Sequence, residues 1–504
     1  MFMRIIVLIL FLFYYESVFG QFRDVETKFY DLFVFSSNSF LVGNEDLQYH
    51  PARINYSSNY LINMKTNYHD VFREWGGNND NNKTIYQYDF GLETEIPINL
   101  FKKNCCLNLS FLKQTFLSAY NSENKEAEFV GSHFGAYSFN SNLLFDETPD
   151  KVGLRIKYST GINSLKLRIN QYPESETDAL LNKYFYNLLE PAFGKDIRFD
   201  LAGDEINYAI EYNRILNSSF NFGFNFYQEM NDYDIGINYY SSIAAIEGLK
   251  KLYGLLQFNR YTFGSSCEYR MNNFIIRVLA TYSVPFYKLM IDQNSSLIKD
   301  SVNLEIKKLS DGSCNGKGRS FGVGISYLIT QNMAINISYT FIQNNYYGKL
   351  YASTPVLGYE IFLPIAHQLN MNFDDKMNNN LFSFVFNHSV SSIWNYSIGM
   401  EYLTSDNSVH YNYKITEFGI GITKEESDYN GSVFLYKFNV NTMLNITNNI
   451  GVKLLFDQYI PIIKKRGGEV NIPSQSLPPS EIDKFDKNKW GGSIYSLSLF
   501  YNFN

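Results

Sequence analysis

The chain has 504 residues, of which 17% are aromatic, 18% are charged and four are cysteines, and its formal net charge is −7. Soluble proteins carry about 25% charged residues, so the low charge and high aromatic content are unusual. An acidic chain without a basic stripe excludes nucleic acid as a partner, because phosphate binding needs clustered Lys and Arg. Four cysteines are too few for a disulfide scaffold in so long a chain.

The amino terminus predicts export. Arg4 precedes the apolar run Ile5 to Tyr15, and Val18 and Gly20 place small or short residues before Gln21. This is the pattern of a cleaved secretory signal peptide, which we assign to residues 1–20. The run is too short to span a bilayer, and no apolar run of about 18 residues follows it. We therefore expect the mature protein to lack a transmembrane helix.

Residues 21–50 do not alternate well and precede the first predicted strand. The length suits either a tail outside the fold or a hatch that enters and plugs a barrel. Pro51 alone would also fit the start of an edge strand. We predict the hatch, because this segment lacks the alternation that a barrel wall needs.

The segment Gly43 to Arg53 resembles the N-terminal segment of the long-chain fatty-acid transporter family of outer-membrane barrels. That segment reads Tyr-Asn-Pro-Ala-Gly, and the shuttle barrels of Bacteroidetes-type secretion systems carry a similar stretch. Three residues of this chain match it, and two differ, since His replaces the Asn and Arg replaces the Gly. The resemblance implies a 14-stranded plugged barrel that passes hydrophobic substrates. It also implies that the hatch or gate residues are Tyr49, His50, Pro51, Ala52 and Arg53.

Period-2 alternation dominates the rest of the chain. Between 220 and 226 every second residue is Phe, and the residues between are Asn221, Gly223 and Asn225. Equivalent runs begin at Tyr86, Met333, Trp394 and Tyr495. Such alternation predicts strands with one apolar and one polar face.

A soluble sandwich also alternates, but two features favour a membrane barrel. The strands are roughly 10 to 20 residues long, whereas strands of soluble proteins run about 5 to 6. The polar face consists of Asn, Ser, Gly and Thr, which suits a lumen. We therefore predict an all-β fold, a transmembrane antiparallel β-barrel of about 16 strands (range 14–18). The barrel occupies residues 51–504, after the signal peptide (1–20) and the hatch (21–50).

Polar clusters predict the connections between strands. Short Asn-, Gly- or Asp-rich breaks near 99–104, 146–150, 229–232, 271–273, 329–332, 376–380 and 447–449 are typical of tight hairpins. The stretches 65–82, 291–317 and 460–491 are expected to be long extracellular loops. A helix is predicted from Asp178 to Leu189, ended by Pro191. At 152–172 and 408–424 the apolar face changes parity, as at a β-bulge or an undetected turn.

Charged residues occur on the polar faces that we assign to the lumen. They could impose a transverse field on a pore, or form salt bridges that stiffen the wall. These lumen charge candidates are Asp89, Glu93, Glu95, Arg155, Lys157, Lys166 and Arg168.

The search for catalytic chemistry is negative. The six histidines are scattered without metal-ligand spacing, so we expect no metal and no cofactor. Outer-membrane lipases resemble one another in a His-x-Ser motif, whereas His388 is followed by Ser389 and Ser391, which both point to the opposite face. We predict no catalytic residues and no enzyme. Cys267 and Cys314 could pair as a loop staple or remain free, and the sequence leaves both open.

Two functional classes remain, with enzymes a distant third. The first is an outer-membrane channel that passes small, hydrophobic compounds through a plugged barrel. The alternative is a non-enzymatic structural or interaction barrel, such as a secretion-system component or an adhesin with long extracellular loops. The expected partners are outer-membrane lipid, a small hydrophobic ligand and the barrel-assembly machinery, whose C-terminal recognition signal the strand from Tyr495 to Phe503 resembles.

Overall fold

The computed structural model describes residues 60–74, 82–100, 103–122, 125–146, 151–171, 195–217, 219–243, 246–297, 310–355, 366–417, 420–447, 449–465 and 489–503. The predicted signal peptide (1–20), the predicted hatch (21–50), the gate candidates from Tyr49 to Arg53 and the predicted helix from Asp178 to Leu189 lie outside these residues. Within the described ranges, no helix is long and apolar enough to cross a lipid bilayer.

The described residues form sixteen strands that close into one antiparallel barrel. The strands contain between 15 and 26 residues. Their bounds are β1 Tyr60–Glu74, β2 Asn82–Leu100, β3 Lys103–Ser122, β4 Lys125–Asp146, β5 Lys151–Gln171, β6 Lys195–Ile215, β7 Phe220–Ile243, β8 Ile246–Met271, β9 Phe274–Leu297, β10 Ser310–Thr330, β11 Met333–Pro355, β12 Ala366–Ser389, β13 Trp394–Glu417, β14 Ile420–Asn445, β15 Ile450–Lys465 and β16 Lys489–Phe503.

The first and last strands close the barrel. β1 pairs with β16 along its whole length, from Tyr60 opposite Phe503 to Glu74 opposite Lys489. Closure leaves no unpaired strand edge, which a sheet inside a bilayer requires. The predicted barrel and its strand number are confirmed. The described strands are two more than the 14 that the resemblance implies.

One end of the barrel carries short turns, and we call it the short-turn end. Asn272 and Asn273 connect β8 to β9, and Asn272 has a φ of 47°, in the left-handed region that tight two-residue hairpin turns use. In the turn before β15, the Thr447 hydroxyl accepts hydrogen bonds from the backbone N–H of Asn449 and Ile450 at 3.1 and 3.0 Å. β1 begins and β16 ends at this end too. The opposite end is called the loop end.

The outer surface carries an apolar band in the half of the barrel next to the short-turn end. Its exposed side chains alternate with buried ones along each strand, so they point away from the lumen. Members of this outer apolar band include Ile210, Phe224, Phe263, Tyr282, Phe321, Ile325, Ile337, Phe382, Phe384, Ile398, Phe438, Val440, Leu454, Leu497 and Leu499.

Beyond the band, toward the loop end, the polarity of the two faces reverses. In β12, Phe382 and Phe384 are exposed on the outer face, but Asn372 and Lys376 take their place farther along the strand. On the inner face, the small polar Ser383 is followed toward the loop end by the buried Met377. β12 has 24 residues, whereas a tilted strand needs only about 9 to 11 to cross a bilayer. The wall therefore continues beyond the band as an extension whose exterior is mostly polar.

This reversal accounts for two errors in the sequence analysis. The predicted turns at 229–232 and 376–380 are wrong, because β7 and β12 run through them without interruption. The predicted loops at 65–82, 291–317 and 460–491 are shorter than expected, since β1, β9, β10, β15 and β16 extend into them. At 152–172 the alternative of an undetected turn is excluded, because β5 pairs with β6 in one continuous register. At 408–424 the register between β13 and β14 shifts at Ile415 and Thr416, as at the predicted β-bulge.

Candidate functional site: the lumen of the barrel

The inner face at the level of the outer apolar band is predominantly polar. Its buried residues are mostly small or uncharged, as the sequence predicts for a lumen. These include Asn213, Asn221, Ser266, Ser326, Asn336, Asn387, Ser397, Asn439, Asn441, Ser496 and Ser498. Both side-chain polar atoms of Asn336 and of Asn387 lack a hydrogen-bond partner.

A buried carboxylate holds two arginines near the short-turn end. The Glu268 side chain is fully buried, and its two oxygens accept hydrogen bonds from Nε of Arg270 and Nε of Arg277, each at 2.8 Å. Arg277 is buried on β9, whereas Arg270 is largely exposed at the end of β8. Glu268 and Arg277 thus form a buried ion pair between β8 and β9, and removal of one partner would leave an uncompensated buried charge.

A second ionic group joins three strands on the other side of the barrel. Lys437 Nζ of β14 lies 3.4 Å from Glu401 of β13 and 3.0 Å from Asp457 of β15. Both carboxylates are buried. One lysine between two acids cross-links three neighbouring strands, which stiffens this part of the wall.

A third ion pair lies at the border between the polar lumen and the extension. Arg260 of β8 is buried and pairs with Glu229 of β7. Its guanidinium also lies 5.6 Å from the centroid of the Phe258 ring, two residues toward the loop end. Arg260 therefore joins a polar region on one side to an aromatic one on the other.

The extension is lined by what we call the inner apolar belt. It consists of buried apolar side chains on the inner face of β7 to β14, on the loop-end side of the polar lumen. The members are Tyr233, Ile235, Leu256, Phe258, Leu289, Ile342, Tyr346, Leu350, Met371, Met377, Leu381, Leu403 and Leu435. Apolar side chains inside a wall whose exterior is mostly polar create a surface suited to ligands that leave water.

Aromatic rings of the belt meet across β10. The inner positions of β10 are occupied by Gly, Ser and Cys314. At Gly316 a Cβ would lie 2.7 Å from the Tyr346 ring and 2.6 Å from Pro285, so the ring crosses the strand at this glycine. Beyond it, the Tyr346 ring is 6.1 Å from Tyr287, which is 4.5 Å from Phe258. The rings thus form a continuous row over β8 to β11.

The predicted lumen charges fall into two groups. The side chain of Lys166 is described, and it is exposed on the same face as Ile156 and Ile162. Its predicted inner position is therefore wrong, because β5 keeps its parity while the polarity of its faces reverses. For the other predicted charges the structure describes the backbone only, namely Asp89, Glu93, Glu95, Arg155, Lys157 and Arg168. Arg155 stands opposite Glu211, a buried inner-face residue of β6.

The ionic groups and the belt were not predicted from the sequence. The signal that could have revealed the belt is the change of parity without a turn, which occurs wherever a strand leaves the outer apolar band. The charged residues of the ionic groups lie on the same face of a strand as inner-face asparagines, as Lys437 does with Asn439 and Asn441 of β14. Alternation therefore identified the face but not the cross-strand partners.

His388 and the cysteines occupy structural positions. His388 Nδ1 lies 3.1 Å from the hydroxyl of Tyr396 on the outer face, beside the turn before β13. Cys267 and Cys314 are free, and Cys314 lies inside β10 rather than in a loop. They face opposite sides of the wall, so of the two alternatives that the sequence left open the structure supports free thiols and excludes the staple. Among the side chains that the structure describes, no group of His, Cys, Asp and Glu could hold a metal ion.

Comparisons with solved structures find similarity over most of the chain at low sequence identity. The chain is similar to the toluene transporter TodX of Pseudomonas putida, with 10% identity, coverage of 94% of this chain and 97% of that chain, and a TM-score of 0.38. A FadL homologue of Pseudomonas aeruginosa has 8% identity, coverage of 90% and 93%, and a TM-score of 0.38. The toluene transporter TbuX of Ralstonia pickettii has 8% identity, coverage of 92% and 95%, and a TM-score of 0.36. No family model and no curated sequence matches the chain.

Proposed function

We propose that the protein is an outer-membrane channel that takes up small hydrophobic compounds. The observation that carries the proposal is the inner apolar belt, which lines the part of the barrel that continues beyond the outer apolar band. A hydrophobic compound arriving from water would meet the belt before it reaches the membrane. Burial of apolar surface is worth about 25 cal/mol per Å², so such a lining would concentrate these compounds at the entrance.

The outer apolar band supports the membrane location. Aromatic and aliphatic side chains such as Phe224, Ile337 and Phe382 are about half exposed. A contiguous apolar surface of this kind indicates contact with lipid rather than with water. The mostly polar exterior of the extension fits the aqueous side of the same membrane. Together with the predicted signal peptide, this arrangement supports export and insertion into an outer membrane.

The ionic groups below the belt support a rigid wall around the path of a permeating compound. Arg260 pairs with Glu229, and Lys437 pairs with two acids. Because these charges are paired with one another, they cross-link neighbouring strands of the inner wall.

Two adjacent tyrosines provide a matched test. Tyr346 belongs to the belt and is 8% exposed, whereas Tyr347 points outward and is 48% exposed. The protein in nanodiscs would be titrated with the neutral fluorescent probe N-phenyl-1-naphthylamine, with empty nanodiscs as the blank. We expect saturable binding that Tyr346→Asn weakens about tenfold or more, since burying a large apolar side chain is worth about 1.5–3 kcal/mol. Tyr347→Asn should bind as the native protein does.

The same titration can contradict the proposal. Absence of saturable binding above the blank would overturn it, and so would equal weakening by the two substitutions. Saturable binding of hydrophilic solutes alone would move the protein to the structural or interaction class.

A further inference from the structure

One carboxylate lies within the inner apolar belt. Asp375 of β12 is 8% exposed, and its Oδ1 is buried without a hydrogen-bond partner. It has the same parity as Met371 and Met377, and its neighbours Asp374 and Lys376 lie on the outer face. Among the described inner-face side chains in the loop-end part of β9 to β13, Asp375 alone carries a charge.

The register partner of this carboxylate and its neighbours on the same face carry aromatic and sulfur-containing side chains. Tyr346 stands directly opposite Asp375 in the register between β11 and β12, where Cβ atoms are about 4.5–5.5 Å apart. Phe373 and Met377 flank it on the same face, about 7 Å away along the strand. The Phe373 ring covers Gly348, where a Cβ would come within 2.1 Å of the ring. These described neighbours carry no positive charge, and the inner-face Arg260 of β8 is already paired with Glu229.

The buried oxygen of Asp375 lacks a described partner. A buried charge is costly unless it is paired. Burial, with a smaller contribution from Asp374, raises the pKa of Asp375 to about 7. A cation bound in the belt would supply the missing partner. The π faces of aromatic rings attract cations as well, and the combination of rings with a carboxylate is suited to an ammonium group.

We propose that the inner apolar belt binds hydrophobic cations, with the ammonium group of the ligand beside Asp375 and its apolar body against Tyr346, Phe373 and Met377. The inference rests on the proposed function, because it uses the same belt, and it adds the charge of the preferred substrate. The chemical class is a small aromatic or aliphatic body that carries a quaternary or protonated ammonium group. The outer-face Asp374 carries the same charge as Asp375 but contacts Lys376, at 3.7 Å.

Two ligands of nearly equal shape separate charge from hydrophobicity. Phenyltrimethylammonium carries a permanent positive charge, and tert-butylbenzene is its neutral isostere. Binding of each would be measured by calorimetry at pH 8 on the full-length protein in nanodiscs. We expect the cation to bind at least tenfold more tightly than the neutral compound. Asp375→Asn should remove that preference and leave the affinity for tert-butylbenzene within about twofold.

Asp374→Asn is the matched control, because it removes the same charge from the adjacent outer-face position. It should leave both affinities unchanged. A native protein that binds tert-butylbenzene at least as tightly as the cation would overturn this inference and leave the proposed function standing. So would a cation preference that survives in Asp375→Asn. Binding of neither ligand, with no binding of N-phenyl-1-naphthylamine, would overturn the proposed function itself.

Discussion

Phe500 of β16 lies on Gly451 of β15, which is its register partner on the inner face. A Cβ at Gly451 would come within 2.0 Å of Cζ of the Phe500 ring. The ring is buried although its neighbours along the same face are Ser496 and Ser498. The glycine explains how a large ring fits into a row of small polar residues beside the closure of the barrel.

Gly451→Ala should therefore destabilise the barrel. The added methyl group displaces the Phe500 ring, and overpacking of this kind costs about 1–3 kcal/mol. The unfolding midpoint, followed by heat-dependent gel mobility, should fall. Gly236→Ala is the control, because a Cβ there would lie 3.8 Å from Asp200, an ordinary contact. Adding Phe500→Leu to Gly451→Ala should restore part of the loss, and equal midpoints for the two glycine variants would contradict the assignment.

The barrel could be predicted from the sequence because alternation is strongest where the two faces meet different surroundings. Within the outer apolar band, lipid selects apolar residues outside and the lumen selects small polar residues inside. The alternation from Tyr495 to Leu499 is an example, and the structure places these side chains outward, with Ser496 and Ser498 inward. Phe500, which breaks the sequence pattern, is the residue that the opposite glycine accommodates.

The extension could not be predicted, because alternation marks two faces but does not say which one is inside. At 376–380 the sequence Lys-Met-Asn-Asn-Asn combines outer-face polarity with an inner-face methionine, and a polar cluster of this composition is also typical of a turn. The hydrogen-bond ladder between β12 and β13 continues through it, from Lys376 to Asn380. The partners of Glu268 and Asp375 depend on register between strands, which no single strand reveals.

A charge in the outer apolar band should block assembly. Leu499 is 47% exposed on the outer face of β16. Leu499→Asp places a carboxylate against lipid, which destabilises the barrel by less than the about 2–4 kcal/mol that Arg or Lys costs near the midplane. We expect loss of the heat-modifiable barrel from the membrane fraction. Asn378→Asp, on the outer face of the extension, should assemble normally; if both variants assemble, the band does not contact lipid.

Breaking the Glu268 group should be more harmful than replacing it. Glu268→Gln leaves the buried Arg277 guanidinium without its carboxylate, and loss of one partner of a buried pair costs about 3–5 kcal/mol. The double variant Glu268→Met with Arg277→Met removes both charges and should unfold closer to the native midpoint. Urea unfolding of the protein in detergent would measure both. A double variant that is less stable than Glu268→Gln would show that the charges themselves hold β8 to β9.

The predicted hatch can be tested by deletion. A sixteen-stranded barrel is wide enough to leak unless its lumen is filled. If residues 21–50 plug it, deletion of residues 22–48 should raise single-channel conductance in planar bilayers sharply while the barrel remains heat-modifiable. Tyr49→Ala should give a smaller rise, since the segment from Tyr49 to Arg53 is expected to anchor the hatch. An unchanged conductance in the deletion variant would make this segment a tail.

Because of Asp375, we expect stability and cation binding to depend on pH in opposite directions. Its pKa is about 7 in the folded protein, above the ordinary value of 3.8. Between about pH 4 and 7 the folded protein therefore holds a proton that the unfolded chain has lost. Stability attributable to Asp375 is present at the acidic end of this window and falls as the pH rises through it. Over the same range ionisation should strengthen the binding of phenyltrimethylammonium.

Other groups near Asp375 determine the controls. Tyr346 faces it from β11, and burial raises the pKa of the Cys314 thiol on β10 to about 12, so the thiol stays neutral throughout the window. His410 of β13 stands opposite Asp374 in the register, and histidines can gain a proton in this range. We expect Asp375→Asn to flatten both pH profiles, with a higher unfolding midpoint at pH 8, and His410→Asn to leave the slopes in place. The opposite result, in which the slopes persist in Asp375→Asn and disappear in His410→Asn, would contradict this prediction. It would show that the pH dependence comes from the outer-face histidine and not from Asp375.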